Sequence, residues 1–156
     1  MTRLLFHFGH SADGRLAGVP YVLFVIAVTK MTDSGAYAIG SLIGKHKMIP
    51  HISPGKTWEG LLGAALGALI AGFAVYFGFR DALPLLNPTH VAILSLVLAA
   101  VCVVGDLAES VLKRCLAIKD SGALLPGIGG ALDLIDSLLW TGPVFYFYLL
   151  YVCRLA

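Results

Sequence analysis

The acids of this sequence have the residue types and the placement to do chemistry. Of its nine Asp and Glu residues, seven (Asp33, Glu59, Asp106, Glu109, Asp120, Asp133 and Asp136) fall at the ends of long apolar runs or in the loops joining them, beside nearly all of the loop Lys and Arg. Residues three or four apart share a helix face, so Asp106, Ser110 and Lys113 form one stripe, and Asp133 and Asp136 another. Carboxylate pairs facing inward from adjacent helices make an oxygen site of the kind hard divalent cations prefer, with Mg2+ the natural choice. Lys56, Lys113, Arg114 and Lys119 are then the phosphate-binding cations, Arg by its bidentate fork and Lys as a point charge. Between them runs SGALLPGIGG (121–130), ending on Gly129 and Gly130, a segment able to bring backbone N–H groups close to an anion.

Those side chains need a scaffold, and the composition says which kind. With 58% hydrophobic and only 13% charged residues in 156, and a mean hydropathy of +0.88, the chain is a membrane protein of one domain, 1–156. A spanning helix needs about 20 mainly apolar residues. Segments 61–79, 91–104 with its flanks, and 132–152 approach or meet that length. A fourth starts near Ala17, runs through YVLFVIAV (21–28), and meets Lys30, Thr32 and Asp33, so Asp33 is expected at its end. The fold expected is an all-α polytopic bundle of about four spanning helices, with polar loops on the cytosolic side and a short apolar piece at 4–8 outside that scheme. Lys45, Lys47 and Lys56 in one connection, and Lys113, Arg114 and Lys119 in another, set the orientation, because short cytoplasmic loops carry the excess of cations. Gly60, Gly63, Gly67 and Ala71 form a small-xxx-small row for close helix packing.

Several classes are excluded. A formal net charge of +2 spread along the chain makes no nucleic-acid surface. Cys102, Cys115 and Cys153 lack CxxC spacing and read as small packing residues. Gly55-Lys56-Thr57 ends like a phosphate-binding P-loop, but Pro50 stands at the required first glycine. His7, His10, His46, His51 and His90 show no metal-ligand spacing and read as surface or interface residues.

The segment Ser110-Val-Leu-Lys113-Arg114 through Lys119-Asp120, Pro126, Gly129-Gly130, Asp133, Asp136 and Ser137 resembles the hallmark of phosphatidate cytidylyltransferases, the CDP-diacylglycerol synthases. Upstream, Thr32-Asp33-Ser-Gly-Ala-Tyr37, Ser53-Pro-Gly-Lys56-Thr57-Trp58-Glu59-Gly60 and Gly105-Asp106 are similar to the family's other polar blocks, in the same order, so the resemblance covers roughly residues 20–140. It implies a membrane enzyme, in a bacterial cytoplasmic membrane, that joins CTP to phosphatidic acid and releases pyrophosphate, with a divalent metal and a monovalent cation such as K+. It also implies that Asp33, Ser53, Lys56, Thr57, Glu59, Ser110, Lys119, Asp120, Gly129 and Gly130 contact substrate, while Asp106, Lys113, Arg114, Asp133 and Asp136 carry the chemistry, with Asp106, Asp133 and Asp136 holding the Mg2+. Ile128 stands where the family usually has His, and Leu134 where it usually has Arg. Family members are typically nearly twice as long, so the chain corresponds to their catalytic C-terminal half, and a homodimer or a separate N-terminal membrane partner is expected. The alternatives are a non-catalytic membrane subunit that keeps the pocket, cytidylyl transfer to another lipid phosphate, and a small cation channel using the intramembrane acids.

Overall fold

The computed structural model describes residues 18–50, 53–115 and 131–153. Helix α1 is Val19–Ile43, followed by strands β1 (Lys47–Ile49) and β2 (Ser53–Thr57), helix α2 (Trp58–Gly78), a 3-10 turn (Arg80–Ala82), helix α3 (Pro88–Cys115), helix α4 (Ala131–Tyr148) and a terminal π-helical turn (Leu149–Cys153). The architecture is the expected all-α polytopic membrane bundle. Helices α1 and α2 and the part of α3 up to Val111 are long and apolar enough to cross a bilayer, and Ser137–Cys153 is a shorter apolar helix. The apolar run at 4–8 lies outside the described residues.

Two expectations are corrected. Asp33 does not end its helix: α1 continues to Ile43. The polar stretch is tolerated because its groups find partners, Thr32 donating to the Val28 carbonyl at 2.7 Å and Asp33 accepting from Cys102 of α3. Helix α3 does carry Asp106 and Glu109 toward its end, as expected, and closes at Cys115. The connection between α1 and α2 is also more than a loop. It forms an antiparallel hairpin with Lys47 opposite Thr57 and Ile49 opposite Ser53, with one irregularity between the two pairs.

The small-residue row does what its spacing implies. The buried side of α2 is Gly60, Gly63, Ala64, Gly67, Ala68, Ala71 and Gly72. It lies against Met31, Gly35, Ala36 and Gly40 of α1, so closely that a Cβ on Gly63 would overlap the Gly35 carbonyl and one on Gly67 the Met31 carbonyl. In lipid, where burial of apolar side chains gains little, this backbone proximity is what dispersion needs. The opposite side of α2 presents Trp58, Leu62, Leu66, Ile70 and Phe77, all exposed, as a lipid-facing surface should.

The apolar core occupies one half of the bundle. Tyr21, Phe24 and Val28 of α1, Tyr76 of α2, Val91, Leu94 and Leu98 of α3, and Phe145 of α4 form one cluster, with Phe24 stacked on Phe145 at 5.9 Å between ring centroids. Nearer the other end, Thr29 of α1 meets Thr141 of α4 at 3.1 Å. The Thr141 hydroxyl gives its single proton to the Ser137 carbonyl at 2.8 Å, so Thr29 is the donor of that pair. The polar half beyond it holds the candidate site.

Candidate active site

A cavity of about 430 Å3 opens between the hairpin and the adjoining parts of α1, α2 and α3. Its ionisable lining is Asp33, Lys56, Asp106 and Glu109, joined by Tyr37, Ser53, Thr57 and Ser137 among other residues. Each element delivers its contribution for a local reason. Residues 33, 36 and 37 of α1 and 103, 106 and 109 of α3 lie three or four apart, so each set shares one helix face turned to the same space. Strand β2 supplies Ser53, Gly55, Lys56 and Thr57.

Thr57 closes the strand and opens the helix. Its backbone is extended, and its hydroxyl accepts the Gly60 N–H at 3.1 Å as the N-cap of α2. Gly44, at the C-cap of α1, leaves the room this needs, since a Cβ there would come within 2.8 Å of the Thr57 hydroxyl oxygen. Replacing Thr57 with Ala is expected to cost about 1 kcal/mol of stability and to loosen the strand that carries Lys56; thermal denaturation in detergent measures the first effect. A variant as stable as the parent would show that the cap is dispensable.

Lys56 forms an ion pair with Asp106, joining the hairpin to α3 across the cavity wall. Glu59, expected among the substrate contacts, faces a different group: it receives the His46 backbone N–H at 3.2 Å and lies 2.6 Å from the His46 ring. With the Trp58 N–H donating to the His46 carbonyl at 3.0 Å, this ties the end of α1 to the start of α2 and holds the hairpin between them. His46 thus has a structural task, at an interface as its residue type suggested. Ser110 donates to the Asp106 carbonyl at 2.8 Å and is not among the lining residues.

The structure therefore brings together Asp33, Ser53, Lys56, Thr57 and Asp106. Lys113 and Arg114 lie in the last turn of α3 and Asp133 and Asp136 in the first turns of α4, with their side chains outside what the structure describes. Lys119, Asp120, Gly129 and Gly130, together with Ile128, lie outside the described residues. Among the described residues no three His, Cys, Asp or Glu side chains come together as a metal cage.

Three contributors were not among the site residues expected from sequence, although Tyr37 and Ser137 belong to the family-like blocks. Tyr37, one turn beyond Asp33, lines the cavity. Ser137 does so from α4, which approaches α3 at Gly105, where a Cβ would come within 2.8 Å of the Trp140 ring. Cys102, read only as a packing residue, donates its thiol to Asp33 at 3.1 Å. Helical spacing held a signal for all three, since Tyr37, Cys102 and Ser137 each stand four residues from a predicted site acid (Asp33, Asp106 and Asp133).

The sequence also matches known proteins. The profile of the Cytidylyltransferase family matches residues 2–152. The phosphatidate cytidylyltransferase of Haemophilus influenzae is 44% identical over 133 residues, 84% of this chain and 46% of that protein. That of Bacillus subtilis is 42% identical over 132 residues, 85% of this chain and 48% of that protein. The Escherichia coli protein YnbB, described as uncharacterized, is 40% identical over 136 residues, 87% of this chain and 44% of its own length. The chain thus spans about half the length of the curated relatives it matches.

Proposed function

This chain belongs to the cytidylyltransferase family, and from that premise we propose that it transfers the cytidylyl group of CTP to phosphatidic acid, giving CDP-diacylglycerol and pyrophosphate. The observation that carries the reading is the pairing of Lys56 with Asp106 at the wall of a cavity also lined by Asp33 and Glu109. An ammonium among carboxylates, at the polar end of a membrane bundle, suits a reaction in which two polyanions must approach each other.

In the proposed step, a phosphate oxygen of phosphatidic acid attacks the α-phosphorus of CTP in line. A new P–O–P linkage forms, the bond from the α-phosphorus to the bridging oxygen breaks, and pyrophosphate leaves with that electron pair. A fully ionised phosphate has no proton to lose, so the protein's task is alignment and neutralisation of charge. Lys56 offsets charge on the phosphoryl oxygens, and Asp106 orients Lys56 from α3. Lys113 and Arg114, at the end of the same helix, are the further phosphate-binding groups of this reading, with Lys119 and the loop glycines 129 and 130 completing it.

Among the described residues the charged lining is three carboxylates and one ammonium, a hard-oxygen set that suits a divalent cation such as Mg2+. Asp106, with Asp133 and Asp136, are the residues we propose hold it. When bound, the metal supplies positive charge to phosphoryl oxygens. A monovalent cation such as K+ is the second ion of the proposal.

We place the cavity end toward the cytosol of a bacterial membrane. Lys45, Lys47 and Lys56 of the hairpin region and Lys113 and Arg114 of α3 share that end, whereas the connection at the other end carries Arg80 beside Asp81.

The test is formation of CDP-diacylglycerol from labelled CTP and phosphatidic acid by the purified protein in detergent, with and without Mg2+ and K+. Metal-dependent product is the expected result. No product from a folded preparation that binds CTP would replace the enzyme with a nucleotide-binding membrane subunit, and product from another lipid phosphate alone would change the acceptor.

A further inference from the structure

Between α1, α3 and α4 lies one polar contact that the reaction scheme does not use. Cys102 is fully buried on α3, one turn before Asp106. Its thiol donates to an Asp33 carboxylate oxygen of α1 at 3.1 Å. The acceptor, Asp33, lines the cavity, as does Ser137 of α4. The next charged cavity residue along α3 is Asp106, paired with Lys56, so one helix turn holds an acid from α1 and a cation from β2 on the same wall.

We propose that Cys102 is a positioning residue: its S–H donor fixes the Asp33 carboxylate at the cavity wall, and the thiol's other chemistry is not used. The activity part of the proposal rests on the cytidylyl-transfer reading. A carboxylate among bilayer helices that loses a donor turns toward another one or draws in water, and either movement displaces it from the wall. Only the donor matters in this account, so an O–H in the same place serves as well. A side chain of similar bulk with no donor does not.

The test compares the parent protein with Cys102→Ala, Cys102→Val, Cys102→Ser and Asp33→Asn. Cys102→Ala and Cys102→Val are expected to lower kcat about tenfold, the effect of losing one hydrogen bond to a charged group, with a smaller change in KM for CTP. Cys102→Ser is expected to stay within about threefold of the parent. Thermal denaturation accompanies each variant, because a packing role makes the Ala variant less stable than the Val variant and moves activity in step with stability.

Infrared spectroscopy supplies a readout independent of turnover. The S–H stretching band that disappears in Cys102→Ser belongs to this thiol, and it is expected to rise in frequency in Asp33→Asn as the bond to a charged acceptor is lost. The proposal is overturned if the Ala and Val variants turn over at the parental rate, if the Ser variant is as slow as they are, or if the band is unmoved in Asp33→Asn. Should the parent itself transfer nothing, the infrared shift still decides the contact, and it is the cytidylyl-transfer reading that fails.

Discussion

Asp106→Asn is expected to retain the fold and lose turnover by a factor on the order of 10²–10³, the magnitude seen when one preorganised charge-stabilising group is removed from an active site. The two effects separate because of where the pair sits. The Lys56 and Asp106 side chains are 21% and 36% exposed, so water screens them and the ion pair contributes only about 1 kcal/mol to stability. The substrates of the proposed reaction, by contrast, would bring several negative charges to the same wall, and there the placement of Lys56 and Asp106 counts in full. Lys56→Met is expected to behave similarly. If the two residues act as one unit, the double variant is no slower than the worse single one. Initial rates of CDP-diacylglycerol formation, read beside thermal denaturation, decide the matter. Transfer at the parental rate by a folded Asp106→Asn protein would remove Asp106 from the chemistry, and losses that multiply in the double variant would mean that Lys56 and Asp106 act separately.

The second large effect concerns the scaffold. Gly67→Leu places a side chain where a Cβ alone would overlap the Met31 carbonyl of α1. Backbone cannot yield as a flexible side chain does, so α1 and α2 must move apart along the seam that includes Gly35 and Gly63. The expected cost is several kcal/mol, at or above the upper range of about 3 kcal/mol for overpacking, with loss of a monodisperse preparation in detergent. The matched control is Gly78→Ala at the end of α2, where nothing beyond its chain neighbours lies within 4 Å of the added Cβ. That change is expected to be neutral or to stabilise by up to about 1 kcal/mol, because Gly is the poorer helix former. Size-exclusion profiles and melting temperatures of the two variants compare them directly. A Gly67→Leu protein as stable as the parent would show that the close α1–α2 contact does not hold the bundle together.

Much of this was legible before any coordinates. Apolar length set the class and the helices, and the Gly60, Gly63, Gly67 and Ala71 row marked the face of α2 that its neighbour would approach. Charge placement pointed to the end of the bundle at which the cavity opens, because ionisable groups are expensive in lipid and gather where water or partners can reach them. Four of the acids and cations singled out by type, Asp33, Lys56, Asp106 and Glu109, do share one cavity. Asp33, however, was placed at a helix end because a short apolar run followed by Lys30, Thr32 and Asp33 looks like a boundary. It is internal because Thr32 and Asp33 find acceptor and donor partners on α1 and α3, which no local rule foresees.

What the sequence determined by itself is therefore what depends on composition and period: a helical membrane bundle, its small-residue seam, and a polar end rich in carboxylates and cations. What only the tertiary structure decided is which groups meet. Lys56 goes to Asp106 and Glu59 to His46, although Glu59 stands far nearer to Lys56 along the chain. The reason is physical: an ion pair or a hydrogen bond is made across a few ångströms between elements whose approach is fixed by glycines and caps elsewhere. Periodicity says which face a residue is on, and packing alone says what stands opposite it.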